Sequence, residues 1–380
     1  MILPKIKEVT GLLNFSKKVF TKGSFRAVNT YISGLISQGK KNVKRISKAA
    51  KVNQQTLNYT LNKAIFEQEE LEKRYLKKIK FIFKNVPICL LIDDTLVERD
   101  GKKIEQTQKH FDHNNGKYIN GHQFFTGILW TPFLQMPLFP KLYSKDTTSK
   151  IDMAKNLVDK INDNGIKIDT ILFDSWYSDK NFINQCKSQG SRVICAVKSN
   201  RNIFIGNSNK SLKISFINSR LINQKMDKYT VDKKDYLVWE KKARLNKVHG
   251  LKFIISKEID SGEVKTSIQL ISTNPSDTAE EIISKYKIRW CIETFHRDIK
   301  QNLGFDKAFF RREKGIVSHS IFVVMAYAIL SLFMYRSGKQ MTIGECCEYL
   351  KNKSMNNLVN KIVIIENRKE RLNKFQEAFI

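Results

Sequence analysis

The sequence predicts an α/β protein: a mixed sheet flanked by helices, with a β-rich insertion and a helical N-terminal domain. Three observations carry this. Between residues 86 and 200, short apolar runs alternate with amphipathic helical patterns, as in a sheet covered by helices. Residues 201–272 hold strand-like runs with turn-rich joints and no long helical period. Residues 1–85 are basic and helical in rhythm.

In the N-terminal part, Asn42–Ala64 (NVKRISKAAKVNQQTLNYTLNKA) has the rhythm of a helix-turn-helix. Val43, Ile46, Ala49 and Ala50 form one apolar stripe. Asn53 is the expected N-cap of a second helix, whose stripe is Leu57 and Leu61 at i, i+4. That helix would expose Gln54, Gln55, Asn58 and Lys63, side chains suited to a DNA groove. A plain helical hairpin explains the same pattern without DNA.

From Val86 the texture changes. VPICLLIDD reads as a buried strand with carboxylates at its tip. HQFFTGILWTPFLQMPLFPKLY reads as strand, turn, strand, and IDMAKNLVDKINDNG as a helix with a Gly stop. IKIDTILFDSWYS is a second strand ending in an acid, Asp174; NFINQCKSQG is a helix and SRVICAVKSN a strand. Within the insertion, SLKISFINS, DKYTVDKKDYLVWEKKA, LKFIISKEI and TSIQLIST are strand-like. One long helix is expected from about Thr278 to Leu303, approached by Pro275, Ser276 and Asp277 and stopped by Gly304. The apolar run Ile321–Tyr335 would span about 22 Å as a helix, short of the roughly 30 Å of a bilayer core, which favours a buried helix. The division expected is therefore 1–85 helical, 86–200 first part of the core, 201–272 insertion, 273–338 second part of the core, and 339–380 a helical tail.

Composition narrows the function. In 380 residues, 67 Lys and Arg face 37 Asp and Glu, a formal charge of +30. Such a charge points to a polyanion, either nucleic acid or an acidic membrane surface. With 41% hydrophobic and 11% aromatic residues the chain can bury a core, which excludes a largely disordered protein. Cys89, Cys186, Cys195, Cys291, Cys346 and Cys347 form no CxxC pair and read as buried thiols of an intracellular protein, not a disulfide framework or zinc site. The first twenty residues lack the apolar core and cleavage site of a secretory signal.

The acids come next. LLIDDT supplies Asp93 and Asp94, and ILFDSW supplies Asp174. Acids at strand ends sit on rigid supports, where hard cations such as Mg²⁺ find carboxylate oxygens. A capping or turn role explains each of them as well. The expected long helix adds KYKIRWCIETFHRDIKQNL. At about 100° per residue, Tyr286, Arg289, Glu293 and Lys300 fall within an arc of about 60°. Ile288, Ile292, Phe295, Ile299 and Leu303 lie on another face, roughly 140° away. An i, i+4 ion pair between Arg289 and Glu293 on a surface helix accounts for the charges. It leaves Trp290 unexplained, since this residue borders the charged face and suits base stacking.

The pattern Y-x2-R-x3-E-x6-K at Tyr286, Arg289, Glu293 and Lys300 resembles the signature of cut-and-paste insertion-sequence transposases, which carry an Asp-Asp-Glu triad in an RNase H-like fold. Asp94–Thr95 resembles the family's first acid at a strand end, and Asp174 its second. Glu293 matches the third. The separations are 174 − 94 = 80 and 293 − 174 = 119 residues, the longer one holding the β-rich insertion. The resemblance, over about 86–335, implies that Asp94, Asp174 and Glu293 hold two Mg²⁺ or Mn²⁺ ions. It implies that Tyr286, Arg289 and Lys300 grip phosphates and that Trp290 stacks on a base turned out of the duplex. Asp93 is the alternative to Asp94, with opposite strand parity.

The implied function is metal-dependent cleavage and strand transfer by a transposase that binds terminal inverted repeats. Its partners would be double-stranded DNA, at transposon ends and target, and a second copy of the chain on DNA, in a prokaryotic cytoplasm and not on a membrane. Two rival functions share these features: a transposase-derived protein that only binds DNA, and a related nuclease without strand transfer. Weaker candidates remain. His110, His113 and His122 hint at a metal but fit a solvated loop better. His296 either touches DNA or packs. The clusters Lys40, Lys41, Lys44, Arg45 and Arg311, Arg312, Lys314 offer charge to phosphates.

Overall fold

The run of five apolar residues from Ile88 to Ile92 has no polar face, so it must be covered on both sides. It opens the central strand of the protein. The computed structural model describes residues 6–63, 66–101, 103–112, 115–221, 225–307, 309–364, and 370, 372–374 and 376. His113 lies outside the described residues, as do 365–369, 371, 375 and 377–380 of the expected C-terminal tail.

The N-terminal segment is helical: α1 (Lys7–Leu13), a 3-10 turn (Asn14–Val19), α2 (Lys22–Ser37), α3 (Val43–Ala50), α4 (Gln54–Asn62) and α5 (Gln68–Ile82). Two asparagines set the turn between α3 and α4. Asn42 accepts from the Arg45 N–H at 2.9 Å, and Asn53 accepts from the Gln55 N–H at 2.7 Å.

The core strands are β1 (Cys89–Glu98), β2 (Gln108–Asp112), β3 (Lys117–Thr131), β4 (Leu134–Pro137), β5 (Lys141–Tyr143), β6 (Thr170–Phe173) and β7 (Arg192–Ala196). Helices α6 (Lys150–Asp163) and α7 (Lys180–Ser188) fall between them. Strand β1 pairs parallel with β6 and antiparallel with β3, and β6 pairs parallel with β7. The sequence places the end of β1 at its carboxylates. The structure carries it on to Glu98, because β3 is long enough to keep pairing as far as Gly121.

The insertion contributes β8 (Asn202–Ile205), β9 (Leu212–Lys213), β10 (Asp227–Val231), β11 (Lys234–Leu245), β12 (Val248–Asp260) and β13 (Glu263–Ser272). Strand β13 pairs with β7, so the insertion extends the core sheet, in the order β2-β3-β1-β6-β7-β13-β12-β11-β8-β9. SLKISFINS corrects the sequence reading: only Leu212–Lys213 is strand, and Ile214–Arg220 forms the short helix α8, burying Ile214 and Ile217 one turn apart.

The expected long helix is also corrected. It is two helices, α9 (Ala279–Lys287) and α10 (Trp290–Leu303). At the joint the N–H groups of Ile288, Arg289, Cys291 and Ile292 bond three residues back instead of four. Helix α10 stops at Gly304, whose φ of 72° is left-handed; a side chain there would also collide with Lys41. Then come α11 (Glu313–Ser337) and α12 (Ile343–Val363). Helix α11 is apolar all round and long enough to cross a membrane, but 89% of its most apolar window is buried, beneath the N-terminal helices and β4. Tyr31 of α2 bonds His319 of α11 at 2.8 Å inside this core.

Candidate active site on one face of the central sheet

Side chains alternate along β1, and that alternation separates the two neighbouring acids. Asp93 pairs across the ladder with Thr126, whose hydroxyl lies 2.7 Å from Nε2 of His296 on α10. Asp94 pairs with Phe125, which packs against Tyr177 beneath α7. Asp93 therefore faces α10, and Asp94 faces α6 and α7. The parallel register adds the second acid. Ile92 pairs with Phe173, so Asp93 and Asp174 are the next residues of adjacent strands. Phe173 packs on Phe182 of α7, which turns Asp174 to the opposite face, that of Asp93.

Arg289, at the joint of α9 and α10, ties these elements together. One of its guanidinium nitrogens lies 3.4 Å from Asp93 Oδ2, and the other is hydrogen-bonded to Glu293. The Tyr286 ring lies beside it, 5.6 Å from centroid to guanidinium carbon. Among the described residues, Arg289 Nε is buried with no hydrogen-bond partner. Burial, reinforced by the neighbouring Asp94 charge, pushes the Asp93 carboxyl up to about 7. Burial also raises Asp174, against the opposing hydrogen bond from the Trp176 N–H.

Asp94, the sequence's choice as first ligand, is thus separated from Glu293 by the sheet. It accepts from Lys150 Nζ at 2.8 Å, from the Tyr177 hydroxyl at 3.0 Å, and from Gln123. Lys150 is held between the rings of Tyr143 and Trp176, 5.2 and 4.7 Å from their centroids. By the register of β1 against β6, Asp93 and not Asp94 stands beside Asp174. Sequence reasoning missed Lys150, Tyr177 and Gln123, which nothing local marks as partners of Asp94.

The remaining predicted residues separate into places. Trp290 is 63% exposed beside Arg289. Lys300 reaches the Leu96 carbonyl at 3.0 Å, farther along β1, and burial lowers its affinity for a proton. His296 packs, as its bond to Thr126 shows, and burial pushes it down to about 3. His122 is buried, with Nε2 2.9 Å from the Glu105 carbonyl and Nδ1 accepting from Arg99. His110 is buried beside Tyr143. Gln54, Gln55 and Asn58 of α4 line a separate cleft together with Arg311 and Arg312. All six cysteines are free thiols.

Asp93, Asp174 and Glu293 are an all-oxygen donor set of the kind a hard divalent cation takes. Burial is the main reason the Asp93 carboxyl is raised, and the Arg289 charge opposes it. With Glu293 turned onto that guanidinium, no three His, Cys, Asp or Glu side chains among the described residues are grouped to hold a metal.

The DDE superfamily endonuclease family matches residues 15–210, and the archaeal transposase family ISC1217 matches residues 143–341. The probable transposase for insertion sequence element IS701 of Microchaete diplosiphon is 30% identical over 218 residues, 53% of this chain and 57% of that protein. Among solved structures, a piggyBac transposase synaptic complex with hairpin DNA, determined by cryo-EM, superposes with a TM-score of 0.51 at 10% identity. It covers 99% of this chain and 83% of that one. At that identity the likeness concerns the fold alone.

Proposed function

Because this chain belongs to the DDE superfamily endonuclease family, we propose that it is an insertion-sequence transposase that cuts and rejoins DNA on the α10 face of its sheet. The observation that carries the reading is the Arg289 guanidinium, bound to Asp93 and Glu293 with Asp174 in register beside them. Asp93 and Glu293 share one cation, and Asp174 follows the strand that pairs beside Asp93. The core reads as RNase H-like, with parallel β1, β6 and β7, an antiparallel β3, and helices on both faces.

In this reading Asp93, Asp174 and Glu293 hold the metal. A divalent cation there supplies Lewis acidity for activating water and stabilising a leaving phosphate oxygen. Asp94 does not ligate; it holds Lys150 on the far face. Arg289 exchanges its carboxylates for a phosphate, to which its planar fork is matched. Tyr286 backs that guanidinium, and Lys300 adds charge farther along β1. Trp290, exposed next to Arg289, offers its face to a base. The partner is double-stranded DNA carrying terminal inverted repeats, and two copies of the chain assemble on two ends. The charge of +30 supports a polyanion partner.

The test is metal-dependent cleavage of the element's own ends, with thermal stabilisation by Mn²⁺ as a second readout. Asp93→Asn, Asp174→Asn and Glu293→Gln should each lose both, while Asp94→Asn keeps them. If Asp94→Asn loses both and Asp93→Asn keeps them, the assignment by strand register is wrong. Joining of cut ends to a second duplex separates a transposase from a nuclease that only cuts.

A further inference from the structure

A second basic feature lies away from the acids. The start of α3, one side of α4, Lys307 and residues 309–312 line an open cleft of about 830 Å³. Lys41, Lys44, Lys63, Lys307, Arg311 and Arg312 line it, and no acid is among its described lining residues. Two aromatic side chains stand in it exposed, Tyr59 at 59% and Phe309 at 81%.

Among the described residues, hydrogen bonds flank Phe309 in the chain. Before it, Arg99 donates to the Asp306 carbonyl at 2.7 Å. After it, Phe310 is buried against His319, and the Glu105 N–H donates to the Arg311 carbonyl at 2.8 Å.

The polar side chains of α4 bear on what the cleft takes. Gln54, Gln55 and Asn58 line the cleft together with Lys307 and residues 309–312. Cations tracking phosphates beside aromatic faces are the features that hold single strands.

We propose that this cleft binds an unpaired DNA strand: Lys44, Lys63, Arg311 and Arg312 take its phosphates, one base stacks on Phe309 beside Tyr59, and Gln54, Gln55 and Asn58 bond base edges. The proposal rests on the reading of the chain as a DNA-processing enzyme. It assigns α4 an unpaired strand in place of duplex groove recognition.

The experiment uses the full chain in EDTA, with fluorescence anisotropy of a labelled ten-nucleotide single strand and of a fully paired duplex of equal length. Phe309→Ala should weaken single-strand binding roughly 5- to 150-fold, the effect of one stacked base. Phe309→Trp should restore it, and duplex affinity should change less than about two-fold, since stacking needs an unpaired base. Arg311→Ala should lower the slope of log affinity against log salt by about 0.7. Single-strand affinity untouched by Phe309→Ala, equal losses on both DNAs, or no single-strand binding by the parent at low salt would each overturn the proposal. Because EDTA removes metal chemistry, these outcomes leave the assignment of the three acids standing or falling on its own cleavage assay.

Discussion

Asp93 and Asp94 are neighbours on one strand, yet they live on opposite sides of the sheet. On the α10 side, Asp93 is buried near Asp174 and shares Arg289 with Glu293, with its carboxyl pushed up to about 7. On the α6 side, Asp94 is satisfied by Lys150, Tyr177 and Gln123. One face gathers acids short of positive charge; the other closes a single acid into a paired network. Pairing of that kind is structural, whereas crowded acids are a place where a cation can be taken up.

The largest expected effect breaks or upholds this contrast directly. Asp93→Asn should cut the rate of DNA cleavage by at least about 10²–10³-fold, the scale of losing one group from a charged transition-state site. Asp94→Asn should leave the rate within about ten-fold but weaken the fold, because it strands the Lys150 charge. Single-turnover cleavage and urea unfolding of both variants check this. A variant pair that behaves the other way round would reverse the roles of the two faces.

The coupling on the α6 side comes next in size. In a double-mutant cycle on unfolding free energy, Asp94→Asn and Lys150→Met should show an interaction of about 1.5–3 kcal/mol, as for a mostly buried pair. An interaction below about 0.5 kcal/mol would mean that Lys150 is held by the Tyr143 and Trp176 rings alone.

How much of this was legible in the sequence follows from which forces are local. The start of α4 was legible because Asn53 caps its own helix; the sequence reading leaves out the matching cap of α3 by Asn42. Gly304 was legible as a stop because only its backbone conformation is at issue. The meeting of Arg289 with Glu293 was legible from i, i+4 spacing. Three things were not. The strand β1 outlasts its apolar run because of β3, a partner some thirty residues away. The register that sets Asp93 beside Asp174 is fixed by pairing with β6, not by anything near either acid. The break at Ile288–Arg289 sits inside an unbroken helical pattern, with no Gly or Pro to announce it. Choosing between Asp93 and Asp94 needs the second of these, so a local match to Asp-Thr misleads.

The smallest effect sharpens the comparison through pH. Each face buries a histidine that the fold keeps neutral: His296 on the α10 side, pushed down to about 3, and His110, beside Tyr143 and the Lys150 network, pushed down to about 4, burial being the main cause for both. The unfolded chain takes up protons at these residues below about 6.5, and the folded chain does not, so stability falls as the solution is acidified. Between pH 6.5 and 4.5 each should cost at most on the order of 2 kcal/mol. His296→Gln and His110→Gln should each flatten the loss, read from urea midpoints at half-unit steps. The His110 contribution should level off near pH 4 while that of His296 continues to about 3; burial lowers both, helped by Lys300 and Arg289 at His296 and by Lys145 and Lys150 at His110. Curves that level off together would mean that the two faces exclude protons equally.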